Sequence, residues 1–186
     1  MEIYSYQQLI SNERILKMRT VLYGGITHNH SVPVIVSEKG LVYIGSFNES
    51  LQEAKLFVDS KGLFTFQEKS PLLTRALEEL DEYLDGIRNE FSTAIDFQWG
   101  SPFQQLVWSE LLKVPFGNSS NYSEIAIAIG RPKAVRAVGT AIGNNPISII
   151  VPCHRILTKS GHLGGYSGGL SMKETLLKTE SISYKA

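Results

Sequence analysis

Asn145-Pro146-Ile147-Ser148-Ile149-Ile150-Val151-Pro152-Cys153-His154-Arg155-Ile156, residues 145–156, carries three signals in one run. Asn145-Pro146, following Gly143, is a turn signal. Ile147 to Val151 is an apolar run of the kind a buried strand uses, closed by Pro152, which has no backbone donor. Cys153 is the only cysteine among 186 residues, so an internal disulfide is excluded. A lone cysteine in an apolar run is commonly a small packing residue. His154 and Arg155 are poor core residues, however, which predicts that Cys153 lies where a strand leaves the interior. Partial access with a base and a cation nearby favours a thiolate nucleophile.

Adjacent residues on extended backbone face opposite ways, so proton transfer between Cys153 and His154 would run through a water unless the chain bends. A carboxylate should orient the imidazole and stabilise its charged form. Residues 96–186 hold five carboxylates: Asp96, Glu110, Glu124, Glu174 and Glu180.

The surrounding motifs form a set. Pro152-Cys153-His154-Arg155 with a following hydrophobic residue, Asn145-Pro146, Arg136-Ala137-Val138-Gly139 and Tyr166-Ser167-Gly168-Gly169 stand at family spacing. From Phe103 to Glu180 the chain resembles the O6-alkylguanine-DNA alkyltransferases. The resemblance implies an α/β (α+β) fold of two domains. Residues 1–92 would form a ribonuclease-H-like sheet domain with a helix, and residues 93–186 a winged-helix-like, helical DNA-binding and alkyl-transfer domain with a helix-turn-helix.

The same resemblance implies single-turnover transfer of an alkyl group from O6-alkylguanine, and from O4-methylthymine, in double-stranded DNA to Cys153. His154 would act through water as base, Glu180 would hold His154, and Asn145 would brace the turn into the active-site strand. Tyr122 would donate a hydrogen bond to the departing guanine. Ile156, Tyr166, Ser167 and Gly168 would line the base site, where glycine lets backbone come close. Arg136 would fill the gap left by the extruded base, and Ala134, Ala137 and Gly139 would let their helix enter a narrow groove. Thr175 and Thr179 stand where the family commonly carries tryptophan and histidine, which predicts a looser seat for the last helix and for Glu180. No metal or cofactor is implied.

Two other classes share some of these features. A damage-binding module without chemistry would lack the nucleophile, and a cysteine hydrolase would turn over repeatedly.

Elsewhere the chain is read from its pattern. Val32–Val36, Leu41–Phe47, Leu56–Val58 and Leu63–Phe66 are apolar, β-branched clusters separated by turn residues, a β-rich first half. Ser70-Pro71 opens a helix with Leu73, Leu77, Leu80 and Leu84 on one face and Glu78, Glu79, Asp81 and Glu82 turned outward. Residues 89–100 read as a strand and linker. Ser101-Pro102-Phe103-Gln104 is a capping box, starting a helix that points Phe103, Leu106, Val107 and Leu111 inward and packs Trp108. Residues 123–129 and 132–142, separated by Gly130-Arg131-Pro132, read as helix-turn-helix. Ser171 and Glu174 form a second capping box. His28 and His30, with no cysteine near, make a poor zinc site.

Composition bounds the function classes. The net charge is zero, but residues 1–95 hold 9 Lys and Arg against 13 Asp and Glu, and residues 96–186 hold 9 against 5. The motif-bearing half is therefore basic, as contact with phosphates requires. No apolar run is long enough to span a bilayer, and MEIYSYQQLISNER has neither a basic leader nor an apolar signal core, so a cytoplasmic location is expected; a monomer is expected as well.

Overall fold

The computed structural model describes residues 20–185. The MEIYSYQQLISNER stretch lies outside them. The fold is mixed α/β, with a small mixed sheet and six α-helices among the described residues.

The sheet comprises β1 (Thr20–Ile26), β2 (Pro33–Val36), β3 (Leu41–Ile44) and β4 (Phe64–Gln67), in the order β3-β2-β1-β4. β2 runs antiparallel to both β1 and β3, and β4 pairs parallel to β1. Helix α1 (Leu51–Asp59) makes the crossover before β4. It corrects the strand-like reading of Leu56–Val58. Ser50 caps it with a full capping box to Glu53, and Ala54 and Val58 face the core.

Helix α2 (Pro71–Leu84) follows, capped by Ser70. It buries Leu73, Ala76, Leu80 and Tyr83 as its apolar period dictates. Glu79 is buried as well, contrary to the outward face expected for the acidic run. Its carboxylate accepts the backbone N–H groups of Ser92 and Thr93 and the Thr93 hydroxyl, at 3.2, 3.1 and 2.9 Å. Asp81 accepts the backbone N–H groups of His28 and Asn29, and His30 Nε2 lies 2.8 Å from Asp85.

Residues 89–100 contain no strand beyond an isolated bridge, Ile95 to Leu41. The edge of β3 is used twice. Leu41 N–H donates to Ala94 O at 2.8 Å, and Ile44 N–H donates to Pro146 O at 3.0 Å. Edge groups that water would otherwise occupy thus tie the sheet to the turn leading to Cys153.

The second half holds α3 (Pro102–Leu111), α4 (Tyr122–Ala128), α5 (Val135–Gly143) and α6 (Leu170–Thr179). The Ser101–Gln104 box forms as expected. α3 buries Val107, Trp108 and Leu111, while Leu106, expected inside, is exposed. Trp108 Nε1 donates to Ala141 O at 2.7 Å, locking α3 to α5. The two helices expected as a helix-turn-helix fall on α4 and α5, and α5 begins at Val135 rather than 132 because Pro132 to Ala134 form a turn.

One hydrophobic core runs through both halves, joining Val34, Leu80 and Tyr83 to Trp108, Ile149 and Leu176. No helix of the described residues is long and apolar enough to cross a membrane.

Candidate active site

Three features of the backbone bring the site together. First, residues 148–150 form a turn rather than the expected strand, with Ile147 in an isolated bridge to Ile44, and Ile149 is fully buried at φ 71°. Left-handed backbone is unfavourable for a β-branched residue, so surrounding contacts hold it there. Second, a single 3₁₀ turn spans Cys153–Arg155. Third, β5 (Ser120–Asn121) pairs parallel with β6 (Ile156–Leu157), which sets the start of α4 beside the residues after Cys153. Asn121 caps α4, accepting from Ser123 N–H at 3.0 Å and Glu124 N–H at 3.1 Å, so Tyr122 is the first helical residue.

Asn145 holds the turn closed from inside. Its Oδ1 accepts Ile147 N–H at 3.0 Å, and its Nδ2 donates to Val151 O at 2.8 Å and to Cys153 Sγ at 3.1 Å. A side chain that reads as a simple turn former thus contacts the sulfur.

Cys153, His154 and Arg155 are all buried, so the chain does not leave the interior here. Charge pairing explains how polar residues remain inside. Glu180, at the C-terminal cap of α6, accepts His154 Nε2 at 2.7 Å, Arg155 Nε at 2.8 Å, Arg155 Nη2 at 3.0 Å and the Gly117 N–H at 3.2 Å. The Tyr83 hydroxyl donates to the same Oε1. Burial alone would raise the Glu180 carboxyl, but the hydrogen bonds from His154 and Arg155 outweigh it and hold the group down at about 2.

With Nε2–H committed to a carboxylate, the neutral His154 ring keeps its lone pair on Nδ1. Nδ1 is buried and has no hydrogen-bond partner. Burial pushes the imidazole below its usual range, against the pull of Glu180, so the ring is neutral and able to accept a proton. No hydrogen bond joins Cys153 to His154 directly, even with the local bend. Burial likewise pushes the Cys153 thiol up, opposed by Asn145, Tyr166 and Lys173.

A cavity of about 390 Å³ opens onto Cys153 and is lined by Tyr122, Gly139, Ile142, Gly143, Gly165, Tyr166 and Ser167. That volume suits a single flat ring system. Burial, then the charge on Cys153, raises the Tyr122 hydroxyl, so it remains a donor. The Tyr166 hydroxyl is raised by burial and by Cys153 beside it. Ser167 is exposed at the rim. Gly168 is required by crowding, because a Cβ there would stand 2.7 Å from Met172 Sδ and 2.9 Å from the Tyr166 ring. Ile156 is buried within β6 and is not among the lining residues.

On α5, Arg136 and Ala137 are exposed and Ala134 is the half-buried cap residue. Gly139 faces the other way, towards Tyr122 and the cavity. Arg131 and Lys133, in the turn before α5, are exposed beside them.

Lys173 escaped sequence reading. It is fully buried on α6, and its Nζ donates to Ile156 O at 2.6 Å and to Leu163 O. Burial pulls it down to about 8, against the charge of Cys153. Its spacing from Leu176, Leu177 and Glu180 puts it on the buried face of the helix, a signal present in the sequence. α6 starts from Gly169 at φ 86° with no side-chain cap, so the expected Ser171–Glu174 box does not form. Thr175 is exposed, and the helix seats on Met172, Lys173, Leu176 and Leu177 without an aromatic there.

The chain is similar to known proteins along most of its length. Residues 102–182 match the family model described as 6-O-methylguanine DNA methyltransferase, DNA binding domain. The chain is 42% identical over 144 residues to the inducible methylated-DNA-protein-cysteine methyltransferase of Bacillus subtilis, covering 76% of this chain and 79% of the relative. The crystal structure of Mycobacterium tuberculosis O6-methylguanine methyltransferase superposes with a TM-score of 0.71 at 33% identity, covering 90% of this chain and 96% of that one. Mycobacterium tuberculosis OGT in complex with DNA superposes with a TM-score of 0.70 at 35% identity, over 86% and 92% of the two chains. By this likeness along most of its length, the chain belongs to the methylated-DNA-protein-cysteine methyltransferase family.

Proposed function

We propose that this protein repairs DNA by direct transfer of an alkyl group from O6-alkylguanine to Cys153, each molecule acting once. The observation that carries the reading is a single cysteine sulfur on the wall of a base-sized cavity, next to an imidazole whose free lone pair is fixed by Glu180. A water between the Cys153 thiol and His154 Nδ1 passes the proton to the imidazole. The thiolate attacks the alkyl carbon, the S–C bond forms and the C–O6 bond breaks, leaving its electron pair on the guanine. Tyr122 donates a hydrogen bond to the base and offsets that charge. Glu180 stabilises the imidazolium. The thioether product is stable to water, so no turnover follows.

The O6 atom of a stacked guanine is out of reach of a buried sulfur, so the base must leave the helix. Arg136, exposed on α5, fills the space it vacates, and Ala134 and Ala137 allow close approach of the helix. Gly139 gives Tyr122 and the base room inside the cavity. Ser167, at the rim of the cavity, reads the base edge, while Ile156 and Gly168, which do not line the cavity, shape the segments that do. O4-methylthymine, a smaller ring, is a second substrate.

The strand order, with β4 parallel to β1 after an α1 crossover, supports a ribonuclease-H-like first domain to residue 92. The α4–α5 pair with the β5–β6 ladder supports a winged-helix-like second domain from residue 93. The protein acts as a cytoplasmic monomer on duplex DNA.

The test is intact-protein mass spectrometry after equimolar incubation with duplex containing O6-methylguanine. One methyl on the Cys153 peptide, and none on Cys153→Ala, is the expected result. Unmodified thiol, or more than one product per protein, would reject single-turnover transfer.

A further inference from the structure

We propose that Tyr83, carried by α2 in the first half of the chain, is a positioning residue for the transfer, its hydroxyl fixing Glu180 Oε1 in the orientation that orders His154. This rests on the alkyl-transfer reading and extends it to a residue 97 positions away from Glu180 in sequence.

Tyr83 is fully buried. A buried tyrosine hydroxyl needs an acceptor, and a backbone carbonyl would serve. Tyr83 instead donates to the carboxylate that binds His154, and its oxygen lies 3.4 Å from His154 Nε2. The ring is clamped by Phe91 at 5.2 Å and by Phe116, edge-on, at 6.1 Å. The hydroxyl therefore has one stable position. Glu180 Oε1 is shared among Tyr83, His154 and Arg155, so each donor limits the charge presented to the others.

The charged and titratable groups facing His154 are Glu180 and Lys173 from α6, Tyr83 from α2, and Arg155 and Cys153 from its own turn. Among these, the Tyr83 hydroxyl can be deleted with its ring kept. Without it, Glu180 puts more negative charge on the imidazole and stabilises the protonated form. His154 then holds its proton to higher pH and cannot accept one from the thiol.

The test uses the full chain in single-turnover methyl transfer from duplex O6-methylguanine, followed across pH by rapid quench. Tyr83→Phe should move the acid limb of the rate profile to higher pH and slow transfer roughly three- to tenfold in mildly acidic buffer. The final methylated fraction should match wild type. Phe91→Leu disturbs the same packing but leaves the hydroxyl, and its acid limb should stay at the wild-type position. A slower Tyr83→Phe reaction with an unmoved limb, or equal movement in Phe91→Leu, would mean that Tyr83 is structural only. Wild-type protein that gains no methyl would instead sink the transfer reading itself.

Discussion

Glu180 carries more of the site than any other side chain, because it answers two buried bases and a tyrosine at once. Removing its charge leaves Arg155 buried without a counter-ion. Glu180→Gln should lower stability at neutral pH by about 3–5 kcal/mol, read by urea denaturation. The pH dependence follows from the depressed carboxyl. Its contribution is fully present above the unfolded value near 4.5 and disappears as pH falls through the folded value of about 2. Wild type should therefore lose stability across that acid window, and Glu180→Gln should lose much less there. Sequence alone reduced the carboxylates to five, and only the resemblance singled out Glu180, because a glutamate at a helix end has the same local pattern whether wet or buried. Arg155 and Lys173 were hidden for a similar reason: long cationic side chains look exposed until a carboxylate or a pair of carbonyls takes them in.

At the level of elements, capping chemistry was the most legible signal. Ser101 to Gln104 forms the box its spacing announces. Ser101→Ala should lower stability by about 1 kcal/mol by thermal melting, with methyl transfer per folded molecule unchanged. The same signal at Ser50–Glu53 marks α1, yet the short run Leu56-Phe57-Val58 reads equally well as strand when only apolar clustering is weighed. Ile147 to Val151 failed in the same way. A buried apolar run does not say whether it is strand or turn, and this one is folded back by the internal hydrogen bonds of Asn145. β1 gave no strand signal because Gly24-Gly25 interrupts its apolar pattern. Ser171–Glu174 has the spacing of a box, but Gly169 at φ 86° already starts the helix two residues earlier.

For the whole molecule, the charge asymmetry between halves overstates the surface available to DNA. Two of the nine basic residues in the second half, Arg155 and Lys173, are internal. Arg131, Lys133 and Arg136 remain exposed around the start of α5. If Arg131 and Lys133 each meet a phosphate, the double alanine variant should weaken duplex binding and reduce the slope of log K against log salt by roughly 2. Fluorescence anisotropy at several salt concentrations would measure it, and transfer from the free base should not change. The division into an acidic half and a basic half was readable from composition. What composition could not reveal is that both share one core and that the free edge of β3 grips the segment before Cys153.

The backbone at Ile149 has a consequence for the order in which the chain acquires structure. An isoleucine does not adopt φ 71° by local preference, so this bend can close only after the sheet edge and the helical core have formed around it. Pulse-labelling during refolding should therefore find amides of residues 147–153 protected after those of β2, β3 and α3. The turn that carries the nucleophile would then close late, and the sulfur would meet its partners only once the surfaces that hold Ile149 are in place.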